Sequence, residues 1–207
     1  MTTEPAKAEL PKSPNSLRLT LWVLLIVYMF NFLDRQIVNI LAEPISRDLG
    51  LSDTQIGLMT GIAFAAFYTF LGIPIARYAD RPKTNRVGLI SVSLIIWSGM
   101  TALCGVAQNF VQLLLARIGV GVGEAGCTPA AHSLIADLAP PEKRASAISF
   151  YSLGIPIGSL LGMVIGGLVA DAYGWRAAFL IAGLPGLALA ALVFLVLRDP
   201  RMTAHIQ

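Results

Sequence analysis

The sequence predicts an all-α membrane protein: six transmembrane helices in a 3+3 inverted repeat, with both termini in the cytoplasm. Three observations lead there. Hydrophobic residues make up 56% of the 207 residues before the 19 glycines are counted, and charged residues only 13%. Soluble domains carry about 45–50% apolar residues with glycine included and about 25% charged ones. Six separate stretches are each about 20 or more mostly apolar residues long, which a helix needs to cross a hydrocarbon core of about 30 Å. Lys and Arg gather on alternate loops. A globule of this length cannot enclose so much apolar surface, so the remaining solvent is lipid. Disorder, a disulfide scaffold and a nucleic-acid-binding domain are excluded together.

Residues 1–18 are expected to form a cytoplasmic tail. They hold Glu4, Glu9 and three prolines, and no small-residue cleavage site follows the first apolar run. The first span is therefore expected to stay as an uncleaved anchor. The bundle then occupies residues 19–197, with spans at about 19–41, 55–76, 87–107, 110–136, 146–170 and 176–197. Turn chemistry separates them: Glu43-Pro44, Gly50, Arg81-Pro82, Gln108-Asn109, Pro140-Pro141 and Tyr173-Gly174. Helices are required because isolated strands would leave backbone groups unpaired in lipid. Residues 198–207 read as a cytoplasmic tail or the start of a missing central loop.

Orientation follows from the basic residues. The N-terminal tail, the second and fourth loops and the C-terminal tail together hold eleven Lys and Arg; the opposite side holds only Arg47 and Arg176. That asymmetry places both termini in the cytoplasm, and the chain is expected to be an integral multi-pass protein of a bacterial cytoplasmic (inner) membrane, with membrane lipid as its first partner. The formal net charge is only +3 and no run of five basic residues occurs, so no nucleic-acid partner is expected. Cys104 and Cys127 lie in apolar stretches without Cys-x-x-Cys spacing or clustered His. They are expected to be small buried side chains, and no metal or cofactor is expected.

Ionisable residues in the interior of the spans, Tyr and Cys apart, are confined to the first and the fourth. Span one carries Asn31, Asp34, Arg35, Gln36 and Asn39; span four carries Arg117, Glu124 and His132. A charge at the bilayer centre costs about 2.5–3.5 kcal/mol even on the lenient insertion scale, so such residues normally face a cavity or each other. In a three-plus-three repeat, spans one and four occupy corresponding positions, and matching polar interruptions there point to a transporter's binding site. Asp34 lies roughly 22 Å in from the cytoplasm, and Arg117 roughly 10–13 Å below the outer surface, at 1.5 Å per residue. The two share a layer and are expected to pair. Glu124 lies two turns beyond Arg117 on the same face. A purely structural buried network is the bland alternative. Arg35 and Gln36 are expected to snorkel toward the outer headgroups, and His132 to be an interfacial, solvated side chain.

Gly154, Gly158, Gly162 and Gly166 repeat every four residues along span five, and Gly57, Gly61 and Ala65 do so along span two. Small residues at that spacing let helix backbones approach closely. Pro156 inside the longer stripe is expected to kink span five.

At these residues the chain resembles the N-terminal six-helix half of a major facilitator superfamily transporter, from about Leu17 onward. The family's loop between its second and third helices follows Gly-x-x-x-Asp-Arg/Lys-x-Gly-x-Arg/Lys-Arg/Lys. Residues 76–86 read ARYADRPKTNR: Asp80, Arg81 and Arg86 match, while Ala76 and Lys83 replace the glycines and Asn85 a basic residue. The segment PPEKRA, with Glu142 and Arg144, resembles the fourth loop, and Asp137 the acid before it. The resemblance implies that these residues form a cytoplasmic charge gate; solvated topology-setting charges are the alternative.

Within the superfamily, FNFLDRQIVNIL and RIGVGVGEAG…HSLIADL resemble the spinster-like branch, which is associated with export of lysophospholipids and sphingoid lipids. The resemblance implies that Asp34, Arg117 and Glu124 take part in proton coupling, with Asn31 on the same pathway. The expected function is that of one half of a proton-coupled secondary transporter for a small amphiphilic or organic solute such as a lysolipid. Asp34 is expected to stay ionised beside Arg117, and Glu124 to carry the proton. A second six-helix half is expected as partner: a separate chain, a second copy, or a part lost by truncation. A non-transporting membrane subunit or an inactive truncated fragment is the alternative. An intramembrane enzyme is remote, because no Gly-x-Ser-x-Gly elbow or His-Glu-x-x-His site occurs.

Overall fold

A computed structural model describes residues 14–203. Most of the expected N-terminal tail, with Lys7 and Lys12, and residues 204–207 lie outside the described residues. Within them every regular element is a helix: α1 (Pro14–Leu49), α2 (Asp53–Gly57), a π-helical turn (Leu58–Ile62), α3 (Ala63–Ala79), α4 (Arg86–Cys104), α5 (Phe110–Glu124), α6 (Cys127–Leu138), α7 (Pro141–Ser152), α8 (Gly154–Val196) and α9 (Pro200–Thr203). Five stretches are long and apolar enough to cross a membrane, and the last, Pro141–Met202, has 62 residues. It divides at Gly174, whose φ of 84° and ψ of 165° interrupt α8; glycine alone adopts that conformation without strain. The result is six rods: α1, α2 to α3, α4, α5 to α6, α7 with the first part of α8, and the rest of α8.

The breaks have local causes. α1 runs through the expected stop at Glu43-Pro44 and ends at Gly50, whose φ is +63°. A single proline removes one helix hydrogen bond and leaves the rest of the ladder. The second rod starts on a capping box in which Ser52 and Gln55 satisfy each other's backbone N–H groups. The fourth rod loosens at Ala125 and Gly126, just after Glu124, because Pro129 has no N–H to offer the carbonyl of Ala125. The fifth breaks at Leu153 for the same reason, since Pro156 cannot donate to the carbonyl of Ser152.

The rods close through glycine. α1 packs most extensively on α8. A Cβ at Gly162 would stand 2.6 Å from the carbonyl oxygen of Leu33, one at Gly154 would stand 2.8 Å from Cβ of Tyr28, and one at Gly158 would fall on the carbonyl of Met29. On the other side of the bundle, a Cβ at Gly183 would stand 2.6 Å from the backbone nitrogen of Ala102. The shorter stripe behaves differently from expectation. A Cβ at Gly57 or Gly61 would find no atom within 4 Å, and Ala65 is exposed. Their small faces pack on nothing within the described residues.

Two apolar cores result. One gathers Leu24, Ile90, Leu94, Trp97 and Tyr151; the other gathers Ile37, Leu41, Leu113, Trp175 and Phe179. Along α1, α4 and α5 the buried polar residues Asn31, Asp34, Thr101 and Arg117 fall between the two. At one end of the bundle Arg176 donates to Asp48 at 2.5 Å and to the carbonyl of Ala107 at 3.3 Å, tying the ends of three rods. Cys104 and Cys127 are buried free thiols.

Candidate functional site

Asp34 and Arg35 are consecutive on α1, so their side chains leave the helix about 100° apart. Asp34, 3% exposed, accepts a short hydrogen bond from the Thr101 hydroxyl on α4. Arg35 takes the other direction and donates from Nε to Oε2 of Glu124 on α5 at 2.8 Å. Glu124 is fully buried, whereas the Arg35 side chain keeps 27% of its surface exposed. The guanidinium lies 4.7 Å from the Tyr68 ring centroid and 5.0 Å from that of Phe64, both on α3. Cation–π attraction and the carboxylate thus draw it inward together.

This arrangement corrects two expectations. Arg35 does not reach for outer headgroups, because Glu124 and three aromatic rings offer a better-matched site than the interface. Asp34 and Arg117 are both buried, yet among the described residues they form no ion pair. Arg117, 1% exposed, instead sets its guanidinium 5.3 Å from the Phe64 ring, with Nε and Nη1 buried and unpartnered. Oδ1 of Asp34, Oε1 of Glu124 and both amide atoms of Asn31 are likewise buried without hydrogen bonds. Phe64 therefore stands beside two cations at once. Most buried side-chain polar atoms in proteins are paired, so these residues stand out as a concentration of buried polar groups.

The remaining polar residues of the two rods lie apart from this cluster. Gln36 accepts from Asn39 at 3.4 Å on an exposed surface. His132 is exposed and meets the edge of Tyr151 with ring centroids 5.4 Å apart.

A second charged cluster lies where α4, α6 and the end of α8 meet. Arg86 is fully buried and donates to both oxygens of Asp199, at 3.0 and 2.5 Å, and to Asp137 at 2.8 Å. Arg201 donates to Asp137 at 2.7 Å and reaches the carbonyls of Asp80 and Arg81 at 3.3 and 3.2 Å. Of the residues singled out from sequence, Arg86 and Asp137 thus meet directly. Asp80 and Arg81 contribute backbone oxygens rather than side chains, and Arg144 donates to the carbonyl of Ala139 at 3.2 Å. Glu142 is exposed and has no ion pair among the described residues. Asp199 and Arg201 escaped the sequence reading, although the RDPR run after the last apolar residue was its available signal.

Among the described residues no cluster of three or more His, Cys, Asp or Glu suits a metal ion. Among the described residues the charged groups present no nucleophile with an adjacent base.

Known proteins bear on what such an arrangement serves. An MFS-type efflux pump of Mycolicibacterium smegmatis (strain ATCC 700084 / mc(2)155) is 43% identical over 174 residues, which cover 84% of this chain and 40% of that protein. Protein spinster homolog 3 of Danio rerio is 34% identical over 183 residues, 86% of this chain and 36% of its own. The crystal structure of a bacterial homologue of the human lysosomal transporter Spinster, inward-facing and occupied, superposes with a TM-score of 0.84. It is 40% identical and covers 91% of this chain and 46% of its own. The chain therefore spans less than half the length of each of these proteins. The family model described as Major Facilitator Superfamily matches residues 24–207, and with these relatives it places the chain in that superfamily of membrane transporters.

Proposed function

We propose that the chain is the coupling half of a proton-driven secondary transporter, carrying a small amphiphilic organic solute such as a lysolipid across a bacterial cytoplasmic membrane. One observation carries the reading. Glu124 is fully buried and holds Arg35 at 2.8 Å, while the equally buried Arg117 has two unpartnered nitrogens. Two acids balance two cations only while both acids are ionised. A proton on Glu124 frees Arg35 and leaves a positive charge in a layer where each uncompensated charge costs about 2.5–3.5 kcal/mol. Rearrangement between inward-open and outward-open forms relieves that cost, a local electrostatic event acting on a two-state element. Asp34 stays as the second counter-charge, and Asn31 supplies amide contacts along the same pathway.

The Arg86, Asp137, Asp199 and Arg201 cluster acts in this scheme as the cytoplasmic gate, with Asp80, Arg81, Glu142 and Arg144 around it. Its ion pairs tie the ends of three rods of this half together at the side the basic residues assign to the cytoplasm. The exposed small stripe of Gly57, Gly61 and Ala65 supports a second six-helix half as partner, whether a separate chain, a second copy or further sequence. The spinster resemblance favours an amphiphilic solute, and the Lys and Arg asymmetry favours cytoplasmic termini.

The test is solute flux into proteoliposomes under an imposed pH gradient, with lysophospholipid as the probe and the chain assembled with a second half. Asp34→Asn and Glu124→Gln should each abolish gradient-driven flux while binding of the solute persists. Wild-type flux in both variants at equal incorporation would overturn the mechanism.

A further inference from the structure

The glycine stripe that closes rods one and five stops at Gly154. One step further along the same four-residue spacing stands Phe150, and Trp22 of α1 meets it edge-on with ring centroids 5.0 Å apart. Where glycine let the backbones touch, two aromatic rings hold them apart. A groove of about 510 Å³ opens there, between Arg18, Leu21 and Trp22 on α1 and Lys143, Ser146 and Phe150 on α7.

Its chemistry is graded. The aromatic and aliphatic side chains make an apolar wall, Arg18 and Lys143 are exposed at the mouth, and the Ser146 hydroxyl lies on the α7 side. Lys143 occupies the first turn of a 12-residue helix that starts at Pro141, so its ammonium stands at the end of α7 where the helix dipole is positive. Glu142 is the acid beside this mouth, and it is followed by Lys143 and Arg144, so the local balance stays positive. Both cations fall on the side that the basic-residue asymmetry assigns to the cytoplasm, where the bilayer leaflet carries anionic lipid.

We infer that the groove between Arg18–Trp22 and Lys143–Phe150 is a binding site for one anionic phospholipid of the adjacent leaflet. The phosphodiester sits between Arg18, Lys143 and Ser146, and an acyl chain lies along Trp22 and Phe150. The site is distinct from the Glu124 layer and does not depend on the transport reading. Apolar area and paired cations are both needed, because either alone gives weak association with a membrane surface.

Native mass spectrometry of the full chain, with phosphatidylglycerol and phosphatidylcholine of the same acyl composition as competing probes, tests it. The wild type should retain one phosphatidylglycerol in preference to phosphatidylcholine. R18Q/K143Q should lose that preference by about fivefold for each cation removed, and R18K/K143R should keep it. F150G, which removes the aromatic wall along which the acyl chain lies, should lose the retained lipid with both cations in place. Equal retention of the two lipids by the wild type, an unchanged preference in R18Q/K143Q, full retention in F150G, or a second copy seated on the face in place of lipid would each overturn the proposal.

Discussion

Arg35 and Glu124, 89 residues apart in sequence, meet at 2.8 Å in the middle of the bundle, with the carboxylate fully buried and the guanidinium partly exposed over aromatic rings. The asymmetry of burial makes the two halves of this pair unequal. Removing Arg35 strands a buried carboxylate, whereas removing Glu124 leaves a cation with Tyr68, Phe64 and some solvent. Arg35→Gln should therefore cost about 3–5 kcal/mol of stability, and Glu124→Gln clearly less. Thermal unfolding in detergent reads the difference. The loss in Arg35→Gln should shrink as pH falls, because a protonated Glu124 no longer needs a cation. An equal cost for the two variants, independent of pH, would contradict the pairing.

Thr101 tests the other acid. Its hydroxyl is fully buried and donates to Asp34, whose second oxygen is buried and unpartnered. Thr101→Val keeps the shape and deletes the donor, which should cost about 1–3 kcal/mol, the penalty for an unsatisfied buried group. Thr101→Ser restores the donor and should recover most of that loss by the same unfolding measurement. Equal behaviour of the two variants would show that the hydrogen bond contributes little.

The fold class was legible because it rests on bulk properties: apolar runs of spanning length, basic loops on one side, and glycine every four residues. The burial of Asn31, Asp34, Arg117 and Glu124 was legible too, since charge in lipid is costly wherever it points. Partnership was not. Depth along a helix places Asp34 level with Arg117, but the rotation of α1 sends Asp34 to Thr101 and Arg35 to Glu124. A single sequence carries no record of that rotation. Two of the three aromatic rings that favour the inward turn of Arg35, Phe64 and Tyr68, come from another rod and look like ordinary lipid-facing residues in a run of apolar ones. Asp199 was hidden differently. It follows the last span, where a charged residue is unremarkable, and only the return of the chain to α4 brings it onto Arg86.

That return gives Asp199 and Asp137 different weights in one cluster. Asp199 engages Arg86 with both oxygens and its side chain is 2% exposed, while the side chain of Asp137 is 30% exposed. Asp199→Ala takes the main counter-charge from a buried arginine and should cost about 3–5 kcal/mol. Asp137→Ala leaves Arg86 bound to Asp199 and should cost about 1 kcal/mol, in the range of solvent-screened pairs. Denaturation of the two variants in the same detergent ranks them, and the reverse order would mean that Asp137 holds the cluster.

Gly162 and Gly61 belong to stripes that look alike in sequence and meet different surroundings. A Cβ at Gly162 would press on the backbone of Leu33 at 2.6 Å, where no flexible side chain can yield, so Gly162→Ala must push α8 off α1. Overpacking of that kind costs about 1–3 kcal/mol. A Cβ at Gly61 meets nothing, and alanine there should stabilise the helix by up to about 1 kcal/mol. If the open stripe receives a second half, Gly61→Leu should not lower the stability of the isolated chain and should abolish co-purification with that half. Gly162→Ala should do the opposite, lowering the melting temperature while the surviving folded protein still assembles. Assembly that tolerates leucine at position 61 would place the partner on another face.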